Sequence, residues 1–167
     1  MQIIIGNVIM LVASVIMVAS GLVKDKKKLL AAQTIQIIIA AIGNGVLGSY
    51  SGMTSNLLSG IRNILEYKKK LTNFIKLIIV VALILLTICF NDIGIMGWLP
   101  TVSCIIFTIF VTTENIIVLK NVIIFCNTLW MIHDGYIAAY TAMIFDILYI
   151  LANIISIIKI KKASTSK

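Results

Sequence analysis

The chain predicts an all-helical membrane protein that crosses the bilayer seven times. Sixty per cent of its 167 residues are apolar and 12% are charged, more apolar surface than one soluble core of this length can enclose. The apolar runs are continuous and rich in Ile and Leu. In hydrocarbon the backbone must satisfy itself, in helices or in a closed barrel, and barrel strands would show short alternating segments instead. The basic residues, finally, are gathered into a few clusters between these runs.

A span needs about 20 apolar residues, with roughly 17 to 25 tolerated. Seven segments qualify: residues 3–23, 29–48, 50–67, 73–91, 95–113, 116–132 and 137–158. The third is diluted by Arg62, Glu66 and several small polar residues, and charge supports it. The fourteen Lys and Arg fall in four places: Lys24, Lys26, Lys27 and Lys28; Arg62, Lys68, Lys69, Lys70 and Lys76; Lys120; and Lys159, Lys161, Lys162 and Lys167. Cytoplasmic loops carry the Lys/Arg excess. Two crossings must therefore separate the first two clusters, which makes 50–67 a span. The N-terminus, the turn near Ser49, the Asn91/Asp92 loop and a His133/Asp134 loop then lie outside, and the C-terminus is cytoplasmic. The first segment lacks a positive leader region and its lysines come after it, so it reads as a span and not a cleaved signal.

The net charge of +8 is explained by juxtamembrane lysines facing anionic lipid, and nucleic acid is not expected as a partner. Cys89, Cys104 and Cys126 all fall within spans without metal-ligand spacing and read as packing residues, with no metal or cofactor implied. Hydrolase, metalloprotease and nucleotide-binding motifs are missing, so no enzyme is expected.

A slide of 90 positions pairs Gly45 with Gly135, Tyr50 with Tyr140, Met53 with Met143, Leu58 with Leu148, Asn63 with Asn153 and Ile64 with Ile154. Asn44 meets Asp134, and Asn56 meets Asp146. A three-helix unit thus occurs twice, as residues 1–70 and 94–162, with a linker helix in 71–93 and a polar tail at 163–167. Three helices reverse direction, so the extra crossing makes the two units parallel, one of the two repeat symmetries of transporters.

Asp146 stands apart from the other acids, which lie at span ends. A carboxylate in mid-span costs about 2.5–3.5 kcal/mol on insertion scales and usually marks a pathway. A structural bond to Arg62 is the other reading, since Arg62 lies on the equivalent helix about 9 Å nearer the cytoplasm by helical rise. Asn56 with Asn63, and Asp146 with Asn153, are seven residues apart and so share a helix face; Asn63 and Asn153 could equally be glue between helices. Asn127 and Trp130 are i, i+3 neighbours, although a Trp near a span end reads first as an interfacial anchor. Gln33 and Gln36 read as interhelical bonds, Arg62 as a snorkelling side chain, and His133 as a solvated loop residue.

The three-plus-one-plus-three plan resembles the SWEET sugar transporters and the PnuC vitamin transporters. The runs GVLGSYSG and LLSGIRNIL within 45–65, GWLP at 97–100 and LWMIHDGYIAAYTAMIFDIL at 129–148 resemble the bacterial inner-membrane YgjV family over almost the whole chain. SWEET-like proteins line their pocket with an Asn on the third helix of each repeat and a Trp sixteen residues before the second. The resemblance therefore implies Asn56, Asp146 and Trp130 as pocket residues, with Asn127, Asn63 and Asn153 as further candidates. The second Asn position holds Asp here, and Pro100 is the one proline. The same resemblance implies an inner-membrane facilitator for a small polar solute such as a sugar, nucleoside or vitamin, working by alternating access as a homo-oligomer. A non-transporting scaffold or accessory subunit is the other class, and it would pack Asn56 and Asp146 against protein. In a cysteine-free background, Ser49→Cys and Asn91→Cys should label from outside intact cells and Ala163→Cys should not; outside labelling at 163 would overturn the seven-span topology.

Overall fold

The computed structural model describes residues 1–91 and 93–165. Asp92, assigned above to an outer loop, and residues 166–167 of the expected tail lie outside the described residues. The chain folds into α1 (Gln2–Gly21), α2 (Lys26–Val46), α3 (Tyr50–Tyr67), α4 (Asn73–Phe90), a 3-10 turn (Gly94–Gly97) leading into α5 (Trp98–Phe110), α6 (Ile116–Tyr136) and α7 (Tyr140–Thr165). Strands are absent among the described residues. Several helices start at side-chain caps that the sequence supplies. Asp25 accepts from the Lys28 amide, Ser49 from Gly52, Thr72 from Ile75, and Asn115 from both Ile117 and Val118.

Five helices, α1, α2, α4, α6 and α7, are long and apolar enough to cross a membrane. The other two fall short for different reasons. α5 is 13 residues long, because its first turn is wound as 3-10. α3 has 18 residues, but one face carries Ser51, Ser55, Asn56, Ser59, Arg62 and Asn63, all buried.

Packing runs α1 to α2, α2 to α3, α3 to α5, α5 to α6, α6 to α7 and α7 back to α1, which closes a ring of six helices. α4 stands outside it against α3 and α5 and buries a single stripe, Ile79, Leu83 and Thr87, four residues apart. Polarity is inverted relative to a soluble bundle. Asn44, Asn63, Lys120, His133 and Asn153 are fully enclosed, while Ile4, Val8, Phe74, Leu77 and Ile88 are open to the surroundings. Such a surface is stable only in lipid.

The turns after α2 and α6 have the same geometry. Each closes with a 6→1 bond, Ser49 N to Asn44 O and Ala139 N to Asp134 O, both 2.9 Å, through a residue of positive φ: Gly48 at 82° and Ala138 at 58°. This is the Schellman termination. Behind each turn a methionine sulfur packs on a glycine, Met53 on Gly45 and Met143 on Gly135.

Several expectations need correction. α6 continues to Tyr136, so His133 and Asp134 are helical and buried, not a solvated loop. α7 is helical through Thr165, past the start of the expected tail. Ser49 turns inward and is 1% exposed, and the Asn91 side chain binds Gly94 O and Ile93 N in its own loop. The labelling test is therefore better made at Tyr50 and Ile95, both exposed. A residue with a Cβ is strained in the left-handed conformation at 138, whereas Gly48 is not. Ala138→Gly should raise stability by about 1 kcal/mol and Gly48→Ala lower it by a similar amount, read from unfolding in detergent; a Cβ at 48 meets no atom within 4 Å, so only backbone strain is measured there.

Candidate functional site

The ring surrounds a central cavity of about 100 Å³, lined by all six ring helices and by none of α4. Such a volume holds several waters or a small polar molecule. Asn56, Asp146, Trp130 and Asn127 all line it. On α6, Asn127, Trp130 and Asp134 lie at i, i+3 and i+7, one face of the helix. Asn56 and Asp146 each sit six residues into a helix, about 9 Å below the turns at residues 48 and 138. Asn127 donates to the Asp146 carbonyl at 3.1 Å, which ties α6 to α7 beside the carboxylate.

Some polar atoms in this chamber have no protein partner. Asp146 is 2% exposed, and its Oδ2 accepts from nothing; the Asn44 amide is unbonded at both Oδ1 and Nδ2, and Gln33 Oε1 is likewise free. Gln33 uses its Nε2 on Tyr149 Oη at 2.9 Å, bridging α2 and α7. Asn56 makes no side-chain bond to another described residue, although it is buried. In a dry site such atoms cost about 1–3 kcal/mol each, so the cavity is a place where hydrogen-bonding partners are expected from outside the chain.

Asn63 and Asn153 are not among the lining residues. Each accepts from a buried cation instead. Arg62 Nε and Nη2 donate to Asn63 Oδ1 at 3.1 and 2.9 Å, and Nη1 reaches the Cys104 carbonyl and Thr108 Oγ1 on α5. The guanidinium lies 4.5 Å from the Phe107 ring centroid, within cation–π range. Lys120 Nζ donates to Asn153 Oδ1 at 3.2 Å and to the Gly21 carbonyl at 2.8 Å, one of the carbonyls that a helix end leaves unpaired. Arg62 therefore does not snorkel, and Lys120 does not belong to a surface cluster. No ion pair joins Arg62 to Asp146 among the described residues.

At the opposite end from the surface lysines, His133 is enclosed between α6 and the α2–α3 turn. Its Nδ1 lies 2.9 Å from Asp134 Oδ1 and its Nε2 lies 2.9 Å from Ser49 Oγ. An N–H directed at the carboxylate leaves Nε2 to accept from the serine hydroxyl. Trp130 meets the imidazole edge-on, with centroids 5.5 Å apart. Nearby, Asn7 of α1 donates to Ala138 O and accepts from Thr141 N. The tryptophan thus lies at a cavity wall and not at a free surface. Sequence reasoning missed this end of the chamber. The pairing of Asn44 with Asp134 at 90 residues was the available signal for it, whereas Gln33 and Tyr149, 116 residues apart, share none.

Fold and site together define a helical membrane protein built around a central cavity in which a few polar side chains stand among apolar ones. Residues 4–164 match the Imp-YgjV family of bacterial inner membrane proteins. The chain belongs to that family and resides in the bacterial inner membrane. Neither a curated protein nor a solved structure matches it.

Asn63 and Asn153 hold buried charge, whereas Asn56 holds nothing in the protein. Asn63→Leu and Asn153→Leu should each cost about 1.5–3 kcal/mol, the range for charge-assisted bonds, while Asn56→Ala should stay within about 0.5 kcal/mol; unfolding in detergent distinguishes them, and an Asn56→Ala cost equal to the other two would make all three structural.

Proposed function

We propose that the chain is a facilitator that moves a small polar metabolite, such as a sugar, nucleoside or vitamin, across the inner membrane by alternating access. In this reading all seven helices span, with the N-terminus outside and the C-terminus cytoplasmic. α1–α3 and α5–α7 are parallel bundles and α4 is the linker that keeps them parallel. The matched ends of α2 and α6, 90 residues apart at both Lys26/Ile116 and Val46/Tyr136, and the matched turns after them support the repeat.

One observation carries the transport reading. The bundles meet around a chamber in which Asn56, Asn44 and the Asp146 carboxylate face space instead of protein. A scaffold would gain by packing those groups, since each unmet bond is a loss. Contacts between the bundles close both ends. Ser49 with His133, and Asn7 with the α6–α7 turn, close the outer end. Arg62 of α3, bonded to α5, and Lys120, bonded to Gly21, join the bundles at the inner end. Rocking would break one set while the other holds, the usual way a site between repeats is exposed in turn. Asn56 and Asp146 would bond the solute from opposite bundles, and Trp130 would stack on a ring face.

Purified protein in liposomes, screened over sugars, nucleosides, vitamins and small amines, should admit at least one solute faster than empty liposomes. Asn56→Ala should reduce that uptake by roughly tenfold while remaining folded, as expected for one lost hydrogen bond. No uptake of any solute, or uptake unchanged in Asn56→Ala, would overturn the assignment.

A further inference from the structure

We infer that the solute this chamber takes is a small organic cation bearing N–H donors, a protonated amine or amidine, held at the Asp146 carboxylate. The inference rests on the transport reading and names its substrate class. It derives from the kind of polar atom left unpaired. Asp146 Oδ2 and Gln33 Oε1 are acceptors, and Asn44 offers one acceptor and one donor group. Acceptors therefore predominate, and a donor-rich solute fits them.

The charges point the same way. Two carboxylates, Asp134 and Asp146, line the cavity, and Asp134 uses one oxygen on His133. Asp146 has no cation of the protein within ion-pair distance among the described residues. A buried acid with an oxygen that no protein group meets is a costly orphan, and an ammonium supplies both a charge to pair with its ionised form and the hydrogen bonds. Trp130 adds a π surface on the same cavity wall, which favours a cation further.

Arg62 also lines the cavity and would be the natural receptor for an anionic or zwitterionic solute. Its bonds to Asn63, Cys104 and Thr108 engage all three of its nitrogens, and Phe107 covers its face. It also lies about 9 Å further toward the inner end than Asn56 by helical rise. The basic group is thus occupied by the protein, and the acidic one is open.

The test uses the full-length protein in detergent at neutral pH and constant ionic strength, with three probes of similar size: 2-aminoethanol as the cation, ethylene glycol as the neutral diol and glycine as the zwitterion. The unfolding midpoint is measured as each is titrated. 2-Aminoethanol should raise it saturably, with an apparent Kd at least about tenfold below that of either other probe, since charge-assisted bonds are about twice as strong as neutral ones. Asp146→Asn should erase the preference, leaving 2-aminoethanol and ethylene glycol alike. Asn44→Ala, which removes no side-chain bond within the protein, should weaken 2-aminoethanol several-fold and provides a second variant if Asp146→Asn does not fold. Equal effects of ethylene glycol, a stronger effect of glycine, an amine effect that survives Asp146→Asn, or no saturable amine effect would each overturn the inference. Asn56-dependent uptake of a neutral solute, with no amine effect, would remove this inference and leave transport standing; failure of both experiments would remove both.

Discussion

In hydrocarbon a polar group has no solvent to turn to, so each buried donor or acceptor either finds a partner in the protein or goes without at a cost of several kcal/mol. Arg62 and Lys120 meet this constraint in its most demanding form, as buried cations with no carboxylate within ion-pair distance among the described residues. Both solve it with neutral oxygens drawn from neighbouring helices. Arg62 on α3 collects Asn63, Thr108 and the Cys104 carbonyl, and Lys120 on α6 collects Asn153 and the last carbonyl of α1. The same bonds that solvate the charges therefore stitch α3 to α5 and α6 to α1. Those are contacts between the first three helices and the last three, made at the end of the ring where the surface lysines gather.

This constraint also decides which polar residues could be placed from the sequence. The seven helices, five of them apolar enough to span, were readable because an apolar run of about 20 residues has few alternatives to a crossing. Gly45 and Met53 match residues 135 and 143 because they serve one local purpose, a glycine that admits a sulfur behind a tight turn. Asp146 was singled out by its mid-span position, and Asn56, Trp130 and Asn127 by what the SWEET-like resemblance implies; all four line one cavity. Asn63 and Asn153 had the same helix face and the same residue type. What separates them is a cation on the adjacent residue or the neighbouring helix, and Lys120 reaches Asn153 across 33 residues of chain with no local pattern to announce it. His133 was misplaced for a related reason. A histidine near a helix end is usually solvated, and only the inward serine on a turn 84 residues away gives it a buried partner.

The two ends of the ring are closed by bonds of different character. At the end near the surface lysines the donors are charged, and charge-assisted bonds are roughly twice as strong as neutral ones. At the opposite end Ser49 meets an imidazole and Asn7 holds a turn through its amide, bonds that each contribute about 0.5–1.5 kcal/mol net. Ser49 serves two elements at once, since its hydroxyl also caps α3 through the Gly52 amide. These contacts are thus joined to the start of the helix that carries Asn56, and His133 joins them to the helix that carries Asn127 and Trp130. Movement at that end cannot leave the chamber wall unchanged.

Much of the remaining interior is paired, although Ser51 Oγ, Asn63 Nδ2 and Ser156 Oγ are also buried without a partner. Between α3, α4 and α5, Ser55, Thr87 and Thr101 share hydroxyl bonds, and Ser59 donates to Cys104; between α5 and α6, Ser103 and Cys126 each bond the other's backbone. Of the seven unpaired buried side-chain atoms among the described residues, the four on Asn44, Gln33 and Asp146 belong to residues that line one volume. A chain that provides a partner for most hydroxyls and thiols in its core, and an acceptor for Arg62 and for Lys120, has the means to provide one for a carboxylate. Where such failures gather around one cavity, function is a usual reason. Here the failure has a definite chemical form, an open carboxylate and open amide oxygens beside an arginine that the protein keeps occupied.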